Sequence, residues 1–124
     1  MTRFAFFEGA IVPIEQAKVS IMTQSFNYGT GCFEGIRAYW NADQEQLFVF
    51  RMPEHYERLH RSARILHCQL PYTVPQLVDI TVDLLRHEGF REDTYVRPLV
   101  YKATEGIGVR LHNLRDGFCI FGLP

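Results

Sequence analysis

The sequence has no excess of charge of either sign and no long apolar run. Its 13 basic and 14 acidic side chains are mixed along 124 residues and give a formal net charge of −1. Because nucleic-acid binding depends on a basic surface, this balance argues against a nucleic-acid partner. The apolar stretches are far shorter than the roughly 20 residues of a membrane helix, and no secretion signal is present. We therefore expect a soluble protein with no membrane partner.

Cysteine is scarce, and several residue patterns that mark common sites are missing. The three cysteines, Cys32, Cys68 and Cys119, form no CxxC pair, which favours the reducing cytoplasm over a disulfide-bonded protein. The histidines show neither an HExxH pattern nor a paired Cys/His spacing, so most are expected at the surface and no metal is expected. The glycines of residues 29–35 do not match a dinucleotide fingerprint, because the third falls one position late. No phosphate-binding Walker loop and no Gly-x-Ser-x-Gly elbow occur.

What is present is a set of short β-rich segments separated by glycine-containing turns. Two of the predicted connections have hairpin length. The glycine-dense segments suit unusual backbone angles and are predicted as loops. The predicted strands cover residues 3–7, 11–14, 36–40, 47–50, 94–103 and 118–123, and the predicted loops cover residues 25–35 and 104–116.

Two segments are predicted as helices. The first begins at Pro53, where the missing N–H of proline costs nothing, and runs to about Leu66. The second begins at a capping box formed by Thr73 and Gln76 and ends at Gly89. Strands and helices are segregated along the chain, not strictly alternating. We therefore expect an α+β fold, with a mostly antiparallel sheet and two main helices on one face.

Two places could carry binding chemistry. Arg58 lies in the middle of the first helix, either as a solvated arginine or as a phosphate anchor, since a guanidinium gives bidentate hydrogen bonds to phosphate. Tyr95 and Arg97 emerge on one face of a strand while Val96 faces the other. That pair could receive a carboxylate, or it could form the polar face of an edge strand, which Pro98 would also suit. The residue pattern alone leaves both choices open.

Four segments together resemble the signature of one family. Residues 28–39 (YGTGCFEGIRAY) resemble the YGxxxFEGIRxY pattern of branched-chain amino-acid aminotransferases. Residues 55–63 resemble the HxxRLxxSA helix of that family, residues 95–98 its YxRP strand, and residues 106–109 the loop that follows. Order and spacing agree, so the resemblance extends over essentially the whole chain. It identifies residues 1–124 as similar to the smaller, N-terminal domain of a class IV aminotransferase, a fold type IV pyridoxal-phosphate enzyme.

The resemblance implies a reaction, partners and residue roles. The reaction is transfer of an amino group between leucine, isoleucine or valine and 2-oxoglutarate, with pyridoxal 5′-phosphate as cofactor. The implied partners are branched-chain amino acids, 2-oxo acids, the chain's own C-terminal domain and a second copy in a homodimer or higher homo-oligomer. Arg58 is implied to bind the cofactor phosphate. The substrate-binding residues implied are Phe33, Gly35, Tyr95 and Arg97, with Tyr28 and Val109 reaching the active site of the neighbouring subunit.

The sequence departs from the family in its lysines. Transamination requires a Schiff-base lysine that also moves a proton. Lys18 and Lys102 are the lysines of the sequence, and neither matches the lysine of the family. We expect that lysine in a C-terminal domain absent from this chain, so no catalytic residue is assigned here and residues 1–124 alone are expected to be inactive.

Two alternatives remain. D-amino-acid aminotransferase and aminodeoxychorismate lyase share the fold, although residues 33–37 (FEGIR) and 95–98 (YVRP) favour the branched-chain enzymes. From a different class, the chain could be a noncatalytic assembly module. Its interface anchors would then be Phe6, Phe7 and Trp40.

Overall fold

In the computed structural model, which describes residues 2–124, seven strands form one antiparallel sheet. Their order is β2-β1-β7-β6-β4-β5, and β3 pairs with β6 beside β4. The α+β prediction is confirmed, and both predicted hairpins form. The strands are β1 (Phe4–Phe7), β2 (Ala10–Pro13), β3 (Gly31–Phe33), β4 (Ile36–Asn41), β5 (Gln46–Val49), β6 (Thr94–Lys102) and β7 (Asp116–Leu123).

The helices are α1 (Gln24–Tyr28), α2 (Met52–Ile65) and α3 (Val74–Glu88), and a 3-10 turn covers Ile14–Gln16. The predicted capping box is present at the start of α3, where the Thr73 side chain accepts from the Gln76 backbone and the Gln76 side chain accepts from the Thr73 backbone. The loop predicted for residues 25–35 is wrong for residues 31–33, which form strand β3, and it is also wrong at its beginning. A short helix forms there and ends at Gly29, whose left-handed backbone (φ 68°) suits glycine. No helix among residues 2–124 is both long and apolar enough to cross a membrane.

The hydrophobic core lies between the sheet and helices α2 and α3. Even-numbered residues of the central strands face these helices and most of them are buried, as expected from the two-residue period of a strand. The helices meet them with an apolar stripe. The central members of this core are Ile36, Val96, Val100 and Ile120 from the sheet and Leu59, Leu77 and Leu84 from the helices.

The opposite side of the sheet carries the odd-numbered residues and is only partly covered. We call this side the open face. Cross-strand pairs such as Phe33 with Leu99 and Arg37 with Tyr95 place their side chains together on it. Residues 14–31 cover one part of the open face and, with the sheet, line an apolar cavity of about 470 Å³ that is partly open to solvent. The rest is accessible.

Strand β6 lies in the centre of the sheet, so the edge-strand alternative for Tyr95 and Arg97 is wrong. Pro98 is accommodated because the ladder is interrupted opposite it. The Glu34 backbone N–H donates to the Pro98 oxygen (3.1 Å), but proline has no N–H to donate in return. The pairing register is the same before and after this point, so residues 31–38 follow β6 as one line.

Candidate functional site

Glu34 lies where residues 31–38 meet helix α2, and it binds two side chains of that helix. Arg58 donates from Nε to Glu34 Oε2 (2.8 Å) and from Nη2 to Oε1 (2.6 Å), and His55 Nδ1 lies 2.7 Å from Oε1. A helix places residues three apart on one face, which brings His55 and Arg58 to the same carboxylate. The Glu34 side chain is 3% exposed, whereas that of Arg58 is 60% exposed. The guanidinium is therefore anchored at one edge and accessible at the other.

The charges of this cluster are mutually stabilised. Burial acts to raise the pKa of Glu34, but the hydrogen bonds and charges of Arg58 and His55 outweigh it and hold that pKa below its ordinary value. Glu34 in turn raises the pKa of Arg58. The Arg58–Glu34 pair has no net charge, so an anion bound here would depend on directed N–H donors. A guanidinium has five such donors and Glu34 occupies only part of them.

Arg97 is held between two aromatic rings on the open face. Its Nε donates to the Tyr95 hydroxyl oxygen (3.0 Å). Its Cζ lies 4.1 Å from the centroid of the Phe33 ring and 5.4 Å from that of the Tyr95 ring. Cation–π attraction favours both placements. The result is an apolar surface with a cationic edge, which can contact an aliphatic side chain and a carboxylate.

Gly35 belongs to the same group because it leaves space for Tyr95. A Cβ built on Gly35 would lie 3.0 Å from Cε2 and 3.1 Å from the hydroxyl oxygen of Tyr95. Such contacts are too short for an undisturbed neighbour. The structure thus brings Phe33, Gly35, Tyr95 and Arg97 together, and Glu34, between Phe33 and Gly35, connects this group to Arg58 on the helix side.

Tyr28 and Val109 lie on a different feature, formed by α1 and the loop before β7. The Gln24 side chain donates to the Gly108 oxygen (3.0 Å), and the Gly108 N–H donates to the Tyr28 hydroxyl oxygen (2.9 Å). The Gly106 N–H donates to the Met22 oxygen (2.9 Å). We call residues 21–28 with 104–109 the α1-loop unit. Val109 is 78% exposed, so this unit directs apolar side chains outward.

No role is predicted for Glu34 from the residue pattern, and His55 is predicted there as a surface histidine. The sequence nevertheless contains features that indicate a contact between these two residues. Period-two alternation places Glu34 on the face opposite Phe33, towards the core, where a carboxylate requires a cationic partner. His55 and Arg58, three residues apart on the neighbouring helix, are suitable partners.

Lys102 is buried on the helix side of the sheet. Its Nζ donates to Asp116 Oδ1 and to the His67 oxygen, both at 2.7 Å. The side chain is thus committed to a buried ion pair. Lys18 is exposed on the segment before α1. Neither lysine lies in the group around Arg97.

Phe6 is not available as an interface anchor, and that expectation is wrong. Phe6 is buried and packs against Tyr72 and Phe118 in the core. Phe7 lines the apolar cavity of the open face. The Trp40 ring contacts the Arg91 guanidinium, whose Cζ is 4.9 Å from the ring centroid.

Comparisons with known proteins point to one family. Residues 31–122 match the model of the family described as amino-transferase class IV. The chain is 58% identical over 98 residues to a probable branched-chain-amino-acid aminotransferase of Aquifex aeolicus (strain VF5), across 79% of this chain and 32% of that protein.

Solved structures give the same result. The branched-chain aminotransferase of Thermoproteus uzoniensis with norvaline superimposes with a TM-score of 0.92 and 41% identity, over 100% of this chain and 41% of that one. The branched-chain amino acid aminotransferase of Thermobaculum terrenum in its PLP-form (holo-form) gives a TM-score of 0.89 and 28% identity, over 99% and 40%. The chain therefore spans about a third to two fifths of the length of these relatives.

Proposed function

This chain belongs to the amino-transferase class IV family, and on that premise we propose that its complete protein transfers amino groups between branched-chain amino acids and 2-oxoglutarate. One observation carries the proposal. The tripeptide of residues 33–35 joins the accessible guanidinium of Arg58 to the aromatic and cationic surface around Arg97. Three consecutive residues thereby fix the position of a hydrogen-bond donor for phosphate relative to the proposed substrate surface.

We propose pyridoxal 5′-phosphate as the cofactor and Arg58 as the residue that holds its phosphate. The guanidinium fits this role because only part of its N–H groups donate to Glu34, and the others are accessible to a phosphate. When bound, the cofactor supplies a ring that withdraws electrons from the substrate carbon. The Thermobaculum terrenum relative in its PLP-form supports this assignment.

The proposed substrate surface has separate places for the two kinds of substrate. The Phe33 ring, half-exposed on the open face, can pack against an aliphatic side chain. Arg97 can pair with the carboxylate of an acidic 2-oxo acid, and the Tyr95 hydroxyl orients its guanidinium. Gly35 keeps the Tyr95 ring in place. This combination favours a branched-chain enzyme over the D-amino-acid aminotransferase and lyase alternatives.

The apolar cavity of the open face does not include Phe33, Tyr95 or Arg97 in its lining. The residues around Arg97 therefore form a surface that needs further walls to become a pocket. We propose that a C-terminal domain supplies one wall together with the lysine that the reaction requires. Lys102, committed to Asp116, is unsuited to that role.

A second copy of the chain is the proposed source of another wall. The α1-loop unit exposes Ile21, Phe26, Ile107 and Val109, which are large apolar side chains. A cluster of this kind marks an interaction surface. We propose that it contacts the partner in a homodimer, so that Tyr28 and Val109 border the partner's substrate. The free thiols of Cys32, Cys68 and Cys119 support a cytoplasmic location.

The phosphate-anchor role is tested with Arg58→Ala in the complete protein. Loss of a charge-assisted contact should weaken pyridoxal 5′-phosphate binding roughly tenfold to a hundredfold. Arg58→Lys should recover only part of the affinity, because lysine lacks the planar fork. Cofactor dissociation constants measured by absorbance titration check both values.

Arg61→Ala is the matched control, since Arg61 is exposed on the same helix and should leave the affinity unchanged. An Arg58→Ala protein with undiminished affinity would return Arg58 to the role of a solvated helix residue.

Turnover with leucine, isoleucine and valine, compared with turnover with D-alanine, tests the substrate class. A preference for D-alanine would contradict the branched-chain assignment.

A further inference from the structure

We propose that Glu34 is a positioning residue, which fixes the Arg58 guanidinium in the orientation that receives the cofactor phosphate. The inference rests on the proposed function of Arg58. The two members of the pair differ in exposure, because the carboxylate is almost fully buried while the guanidinium is mostly exposed. A buried carboxylate is restricted to one side-chain conformation, whereas an exposed arginine on a helix ordinarily samples many rotamers. The buried member therefore determines the position of the exposed one.

The backbone and the side chain of Glu34 are both fixed. Its N–H donates to the Pro98 oxygen, which ties it to the central strand. Its Oε1 contacts both His55 and Arg58, and its Oε2 accepts from Arg58 Nε. His55 thus holds the carboxylate independently of Arg58, and the two parallel hydrogen bonds define the plane of the guanidinium.

A fixed guanidinium binds an anion with a smaller loss of side-chain entropy than a free one. It also presents its remaining donors in one direction. Glu34 cancels the charge of Arg58, so the benefit is orientation and not attraction. Loss of the Glu34 carboxylate should therefore weaken binding of a ligand that carries the phosphate. It should not change binding of the same ligand without its phosphate.

The test uses Glu34→Gln in the complete protein. Glutamine keeps the shape of the side chain but places an amide N–H₂ where Arg58 or His55 needs an acceptor. We expect pyridoxal 5′-phosphate binding to weaken about tenfold, while binding of pyridoxal, which has no phosphate, stays unchanged. In an Arg58→Ala background Glu34→Gln should cause no further loss, because the two residues act as a unit.

Glu88→Gln is the matched control. Glu88 is another buried carboxylate, paired with Arg3 and the Phe4 N–H, but it is not part of the Arg58 cluster. It should leave both dissociation constants unchanged. If Glu34→Gln does not fold, Glu34→Asp keeps the charge, shortens the reach and should give a smaller loss, again specific to the phosphate.

The outcomes separate this inference from the proposed function. Weaker binding in Arg58→Ala but not in Glu34→Gln would overturn the positioning role and leave the phosphate anchor intact. Equal losses for pyridoxal 5′-phosphate and pyridoxal in Glu34→Gln would also overturn it, since they would indicate a general effect on the fold. Unchanged binding in Arg58→Ala would remove the anchor itself and the positioning role with it.

Discussion

Gly35 shows how a single position without a side chain shapes the site. Its neighbour across the strand is the Tyr95 ring, which occupies the space that a Cβ would need. The same ring carries the hydroxyl that accepts from Arg97. The absence of a side chain at Gly35 therefore allows Tyr95 to orient the guanidinium of Arg97 on the adjacent strand. At this scale the sequence identified Gly35 through a family pattern, whereas the steric reason depends on where the fold places the Tyr95 ring.

Gly35→Ala should displace Tyr95 and separate its hydroxyl from Arg97. In the complete protein we expect a higher KM for 2-oxoglutarate and little change in cofactor affinity, because Arg58 contacts Glu34 and not Tyr95. Steady-state kinetics and a cofactor titration measure the two effects. Gly122→Ala serves as the control, since the nearest neighbours of a Cβ built at Gly122 lie 3.4 Å away, which is ordinary van der Waals contact. Identical KM values for the two variants would refute the steric role of Gly35.

Among the elements, those with a strong local signal were predicted well. Helix α3 has both its capping box and its terminal glycine in the sequence, and it begins and ends where these place it. Helix α1 has five residues and too little length for a helical period to be recognised. It is held by distant contacts, such as the Gln24 backbone N–H donating to the Thr104 oxygen. Such contacts are absent from any local pattern.

Helices α2 and α3 are joined in the core by one hydrogen bond, and its removal is a test of their packing. The Tyr56 hydroxyl lies 2.5 Å from Thr81 Oγ1, and burial raises the pKa of Tyr56. Tyr56→Phe should lower the free energy of unfolding by about 0.5–1.5 kcal/mol. The loss stays moderate because Thr81 keeps its hydrogen bond to the Leu77 oxygen.

Urea denaturation measures this loss, with Tyr39→Phe as the control. Tyr39 is exposed on the open face, so removal of its hydroxyl should not change stability. A Tyr56→Phe protein as stable as Tyr39→Phe would show that the buried hydrogen bond contributes nothing measurable.

At the scale of the whole molecule, the sheet separates two kinds of surface. One side is filled by α2 and α3, and the other carries Arg97 and its aromatic neighbours. Alternation and helix periodicity were enough to predict the α+β class and a mostly antiparallel sheet with helices on one face. They did not predict that Glu34 would connect the sides, because that depends on the placement of α2 over residues 31–38, a tertiary arrangement.

The proposed dimer can be tested by mixing two inactive parents of the complete protein. One parent lacks the cofactor-binding lysine of the proposed C-terminal domain, and the other carries a disabling Tyr28 substitution. If Tyr28 serves the partner's site, a hybrid dimer has one site with both defects and one with neither. Activity should then reappear on mixing, at up to about half the wild-type value per hybrid.

Arg58→Ala replaces the Tyr28 substitution in the control mixture, at a cofactor concentration low enough that the Arg58→Ala parent binds no cofactor and is inactive. Arg58 is proposed to act in the site of its own chain, so each hybrid site would contain one defect and no activity should return. With subunit exchange verified by mass, continued inactivity of the Tyr28 mixture would place Tyr28 in the same site as the lysine. Restored activity in the Arg58 mixture would place Arg58 across the boundary instead.

The unbroken register of residues 31–38 along β6 restricts how this segment can change in evolution. Phe33 and Gly35 lie on the open face, whereas Glu34 faces α2, so the side that each residue faces is set by its odd or even position along the strand. A substitution alters one side only. Deletion or insertion of a single residue would turn the carboxylate towards the open face and an aromatic ring towards α2. A change in the length of this segment is therefore more damaging than the substitution of any one of its residues.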